Sequence, residues 1–173
     1  MLEPDDRHSL LDALRPPAGH ALDRAVGTTF SLDLLALLTA PVAFALLEGD
    51  GGEDGLASPT VILEAIRRNA GVIDLFCQAG QIALPAAYPP LGAYLEEVVH
   101  EVAAPVKHRI FHPKVWAIRY RSRDGERRYR LLCLSRNLTF DRSWDTILTL
   151  LNVKSSAITP LQPSVPNFIV ITC

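Results

Sequence analysis

Apolar and polar positions recur along this chain with two different periods, and each change of period marks an element. Between Leu91 and Val102 the apolar residues Leu91, Tyr94, Leu95, Val98, Val99 and Val102 fall at i, i+3, i+4, i+7, i+8 and i+11. That spacing predicts an amphipathic helix with one buried stripe. The run "PTVILEAIRRNA" predicts another, bracketed by Ser58 as N-cap, Pro59 at the first helical position and Gly71 past the last turn. A short amphipathic helix is predicted over residues 7–15 and a buried one over 31–47, around "LLALLTAPVAFALL". "RAVGTTF" and "VIDLFCQ" predict strands, and "EGDGGEDG", Glu48 to Gly55, a flexible acidic loop. This alternation predicts the α/β class, with a mixed β-sheet flanked by helices.

The stretch "FHPKVWAIRYRSRDGERRYRLLCLSRNLTF", Phe111 to Phe140, is two β-rich runs around Asp124-Gly125. Asp-Gly is a strong hairpin signal, because a type I′ turn needs positive φ at both central residues. With a two-residue loop, facing positions sum to 249, so His112 faces Asn137 and Lys114 faces Ser135. Side chains alternate faces along a strand, so all four then share one face. A four-residue loop keeps this register, whereas a three-residue loop slips it by one and separates the pairs.

Composition sharpens the picture in three places. At 173 residues, 49% of them apolar, the chain can build a packed core in a single domain, which we place at residues 1–149. Residues 150–173 change character, with Lys154 the one charged side chain and prolines throughout; an ordered finish, a truncation and a non-native end all fit. The net charge of −2 hides an asymmetry: Pro105 to Asp145 holds eleven Lys or Arg against four Asp or Glu, a local +7 that leaves −9 elsewhere. Such a patch fits an anionic partner.

The apolar run Leu34 to Leu47 is shorter than the roughly 20 residues of a membrane span, so it predicts a core helix and no membrane partner. Cys77, Cys133 and Cys173 lack metal-ligand spacing, and no metal or disulfide is expected. The N-terminus lacks the order of a signal peptide, which together with the cysteine usage leads us to expect a cytoplasmic protein.

The polar ends of the hairpin suggest a chemistry that needs no cofactor. An imidazole can act as a nucleophile, while a lysine ammonium and an asparagine amide stabilise the negative charge of a phosphoryl group under attack. Ser135 can fix its neighbours through its hydroxyl, and Asp141 or Asp145 can bond one imidazole nitrogen and so set the tautomer. Arg119, Arg121, Arg128, Arg130 and Arg136 are the candidate phosphate contacts, although a hairpin with interspersed acids is ordinarily just soluble. Trp116 shares the His112 face and is expected in the core, where it could also wall a pocket.

At these residues the sequence resembles the phospholipase D superfamily. Its motif runs His-x-Lys, then an aspartate, then Gly-Ser-x-Asn; "HPK" supplies His112 and Lys114, and "LSRNLT" supplies Ser135 and Asn137. Leu134 stands in place of the glycine and Arg119 in place of the aspartate. The match covers about 35 residues, and "SRNLTFDRSWD" looks most like bacterial members of the nuclease and restriction type.

The resemblance implies a phospholipase D-like domain and a metal-independent phosphodiesterase in which His112 forms a phosphohistidine. Nucleic acid is the implied substrate, and an acidic residue beyond the asparagine, Asp145 with Asp141 as runner-up, is implied to orient the histidine. It also implies a second histidine, which this chain must obtain from a homodimer or from a longer parent protein. The alternatives are a catalytically degenerate nucleic-acid-binding or assembly module and, less favoured, a phospholipase.

Overall fold

Ten consecutive residues, His20–Thr29, form the central strand β1, whose face toward the core carries Ala25, Gly27 and Thr29. The computed structural model describes residues 9–45, 59–84, 90–104, 106, 108–140, 144–152 and 167–172. On one side β1 pairs in parallel with β3 (Ile73–Gln78), which pairs in parallel with β5 (Val99–Val102). On its other side β1 runs antiparallel to β6 (Val115–Ser122), and β7 (Arg127–Leu134), β8 (Trp144–Asn152) and β9 (Asn167–Thr172) follow as an antiparallel meander. The result is a seven-stranded mixed sheet of order β5-β3-β1-β6-β7-β8-β9, in keeping with the α/β class. A small parallel pair, β2 (Leu32–Asp33) with β4 (Ile82–Ala83), sits apart from it. Residues 150–152 belong to β8 and β9 pairs with it, so part of the tail lies inside the sheet.

Helices α1 (Leu10–Leu14), α2 (Leu34–Leu37), α3 (Thr39–Ala45) and α4 (Pro59–Ala70) contribute to this fold. Leu14, Leu37 and Phe44 join Leu75, Trp116, Leu132 and Ile147 in one core on a single sheet face. The predicted helix over 31–47 is thus two short helices broken at Leu38, with Asp33 capping the first through Leu35 N at 2.8 Å. Helix α1 starts at a capping box in which Ser9 and Asp12 satisfy each other's backbone N–H groups. Helix α4 matches its prediction, whereas Ser58 and the acidic loop lie outside the described residues. Among the described residues no helix is long and apolar enough to cross a membrane.

The helix predicted over Leu91–Val102 is not present. A 3₁₀ helix, Pro90–Leu95, is followed by a turn and then by strand β5. Leu95 and Val98 are buried, as the periodicity required, but Val99 to Val102 supply a parallel ladder to β3 that β3 would otherwise lack on that edge. β-branched Val99 and Val102 suit that pairing, and tertiary context overrides the local period.

The hairpin also differs from its predicted register. Facing positions sum to 248, as in Val115 with Cys133 and Arg121 with Arg127, so the loop holds three residues, Arg123, Asp124 and Gly125. Ser122 N donates to Glu126 O at 2.9 Å and Gly125 N to Ser122 O at 3.1 Å. Gly125 takes φ of +89°, and among the described residues the sole non-glycine with positive φ is His108, so Asp124 cannot form a type I′ turn. A left-handed glycine at the third loop position is the usual bulged solution.

Candidate active site

Because β1 runs opposite to β6, the C-terminal end of β1, the approach to β6, the end of β7 and the start of β8 meet at one sheet edge. Threonines at the end of β1 join these segments. Thr28 Oγ1 donates to Val115 O at 3.2 Å and accepts from Val115 N at 2.9 Å. Thr29 Oγ1 donates to Ser31 O at 2.8 Å and accepts from Leu138 N at 3.0 Å. Leu138 O in turn accepts from Asp33 N at 2.9 Å, which fixes the loop after β7 against β2.

His112 and Lys114 come together here. The Lys114 ammonium lies 3.1 Å from both imidazole nitrogens, so it straddles the ring instead of pointing at one of them. The ring of Phe30 backs the imidazole at a centroid distance of 4.9 Å and a tilt of 47°. His112 is exposed and Lys114 half-buried. Burial lowers the Lys114 pKa below its ordinary value, and the negative charge of Asp145 partly opposes that.

A second cluster forms around Asp145, which is buried. Its Oδ1 accepts from Ser135 N at 3.0 Å, Ser135 Oγ at 2.5 Å and Arg136 N at 3.1 Å. Ser135 Oγ also accepts from Thr146 N at 3.0 Å, so the serine hydroxyl belongs to this turn. Asp145, Arg136, Asn137, Thr28, Thr29 and Trp116 are among the residues lining a pocket of about 50 Å³, room for a few water-sized groups. Asn137 Oδ1 is buried there and has no hydrogen-bond partner among the described residues. An orphaned amide oxygen of this kind marks a site where a donor belongs, or an amide that turns to present its NH₂ group to a ligand oxygen.

The slip in register changes how these residues meet. Lys114 does not face Ser135; its carbonyl accepts from Leu134 N at 2.8 Å, and the chain then bends away from the strand path. Nor does His112 face Asn137 across the ladder, because β7 ends at Leu134. The one-residue slip carries even-numbered positions of both strands to the same face, where Trp116 and Leu132 are buried, and Asp145 reaches that face from β8. The His112–Lys114 pair and the Ser135–Asp145 turn are thereby coupled through the charges of Lys114 and Asp145. No hydrogen bond joins Asp145 to His112, and Asp141 lies outside the described residues.

The arginines divide. Arg136 lines the pocket. Arg119 is paired with Asp23, Arg128 with Glu126 at 3.2 Å, and Arg130 donates to Ala13 O and Arg15 O at 2.6 and 2.9 Å while lying over the Tyr120 ring. Arg121 sits seven residues along β6 from Lys114, roughly 23 Å at the usual rise. A sum of 249 would set Arg119 against Arg130 and Arg121 against Arg128; the ladder instead pairs Arg119 with Tyr129 and Arg121 with Arg127. Phe30, Thr28 and Thr29 are site residues that sequence reasoning missed, since "TTF" at a strand end carries no signal of what lies across the sheet.

No protein family's profile, no curated protein and no solved structure matches this chain.

Proposed function

We propose that this chain carries half of a metal-independent phosphodiesterase site of the phospholipase D type, acting on nucleic acid. The observation that carries the reading is the meeting of His112 and Lys114, 3.1 Å apart, beside a pocket that Asn137 and Asp145 line. In this reading an imidazole nitrogen of His112 attacks phosphorus, the phosphorus–oxygen bond to the leaving group breaks, and a phosphohistidine results. Lys114 and the Asn137 amide stabilise the charge that builds on the phosphoryl oxygens, and water then cleaves the phosphorus–nitrogen bond. A histidine from a second copy protonates the leaving oxygen and afterwards takes the proton of that water. The exposure of His112 at the sheet edge leaves it open to such a copy.

The test is hydrolysis of bis(4-nitrophenyl) phosphate and of an oligonucleotide in excess chelator. We expect turnover by the parent protein, acid-labile trapped phosphate, and loss of both in His112→Ala; equal rates in the two proteins would overturn the assignment. One observation favours a second reading, a nucleic-acid-binding module without turnover: the Asp145 carboxylate is engaged by the Ser135 turn, and no hydrogen bond from it sets the His112 tautomer. That reading predicts salt-sensitive binding, no trapped phosphate, and no effect of His112→Ala.

A further inference from the structure

The sheet face opposite the core carries a second feature, at the end remote from His112. There Arg121 lies directly across from Arg127, and Arg119 directly across from Tyr129. Side chains facing each other across a ladder have Cβ atoms about 4.5–5.5 Å apart, and two rows on one face are about 7 Å apart. Three guanidinium groups and one aromatic ring thus share a patch of phosphate-and-base dimensions.

The carboxylates nearby are distributed unequally. Arg24 is paired with Asp74, Arg119 with Asp23 and Arg128 with Glu126. Arg121 and Arg127 are exposed and have no carboxylate partner among the described residues; Asp124, also exposed, stands in the loop beside Arg123. Like charges directly opposite one another destabilise a ladder unless an anion lies between them. Tyr129 is 41% exposed in the neighbouring row, where a base can stack on it. Toward the site the same face turns apolar through Ala117 and Leu131, which suits unstacked bases better than a duplex backbone.

We propose that Arg121, Arg127 and Tyr129 anchor a single-stranded nucleic acid on the open sheet face, about 23 Å along β6 from Lys114. The anchor rests on the phosphodiesterase reading only for its purpose, which is to hold a strand whose far part reaches the His112 edge.

Fluorescence anisotropy with a labelled 20-nucleotide single strand tests it, across a salt series. Arg121→Glu with Arg127→Glu is expected to weaken binding at least tenfold and to flatten the logarithmic salt slope by about 1.4, from roughly 0.7 per phosphate contact. Tyr129→Ala is expected to weaken it about fivefold or more without changing the slope. Arg67→Glu with Arg68→Glu on α4 makes the same charge change elsewhere and serves as control. Equal losses in the control, an unchanged slope, or equally tight capture of poly-L-glutamate through the same arginines would overturn the anchor. Hydrolysis is read separately: strand binding through these arginines with no turnover sinks the phosphodiesterase reading and leaves the anchor standing.

Discussion

One carboxylate oxygen of Asp145 accepts from two backbone N–H groups and a hydroxyl, and that oxygen shapes the turn from which Asn137 enters the pocket. Asp145→Asn keeps an acceptor oxygen but removes the charge that holds up the Lys114 pKa against burial. The ammonium then loses its proton at lower pH, so the alkaline limb of kcat/KM on the chromogenic diester is expected to move downward; an unmoved limb would mean that Lys114 does not set it. Gly27 supplies a second test. A Cβ there would stand 2.7 Å from Leu75 Cδ1 and 3.0 Å from the Trp116 indole, both in the packed core. Gly27→Ala is therefore expected to cost about 1–3 kcal/mol, read as a lower denaturation midpoint.

Among the elements, the hairpin shows what the sequence carries and what it omits. Asp124-Gly125 announced the turn, and the turn is there. Two-residue and three-residue loops share that signal and differ in the φ of Asp124, which composition does not encode, so the register was illegible and with it the facing of Lys114 and Ser135. Gly125→Val places a β-branched side chain in the left-handed region and is expected to cost about 1–2 kcal/mol by urea denaturation. Helix α4 was legible because Pro59 and Gly71 act locally. Strand β5 was not, because its reason for being a strand is β3, more than twenty residues upstream in the ladder of Leu75 with Val99. The site divides in the same way: His112 and Lys114, two apart, were readable, whereas Phe30 and the threonines of β1 are brought to them only by the sheet.

For the molecule as a whole, burial of proton-holding groups sets a limit at high pH. Burial, with Glu101 nearby, pushes the Cys77 thiol from 9.0 to about 11, and burial pushes the Tyr120 phenol from 10.0 to about 12 against the opposing charge of Arg130. Between the unfolded and folded values the native state holds more protons than the unfolded chain, so stability falls as pH rises. We expect full stability below about pH 9 and a progressive loss toward pH 12 from these shifts. Tyr120→Phe, which also loses the 2.8 Å hydrogen bond to Leu14 O, is expected to start less stable by about 0.5–1.5 kcal/mol and to decline less steeply above pH 10.

The threonine hydroxyls of β1 carry a final consequence. Thr28 and Thr29 fasten segments 87 and 109 residues downstream, and no shorter stretch of chain can build the edge where His112 stands. Closing loops of that length comes late and all at once, since non-local contacts reward the chain only after its entropy is lost. Competence at this edge should then behave as a readout of the native population. Titrated with denaturant, any activity or strand capture seated there should vanish along the same curve as the fluorescence of the buried Trp116, with no earlier step.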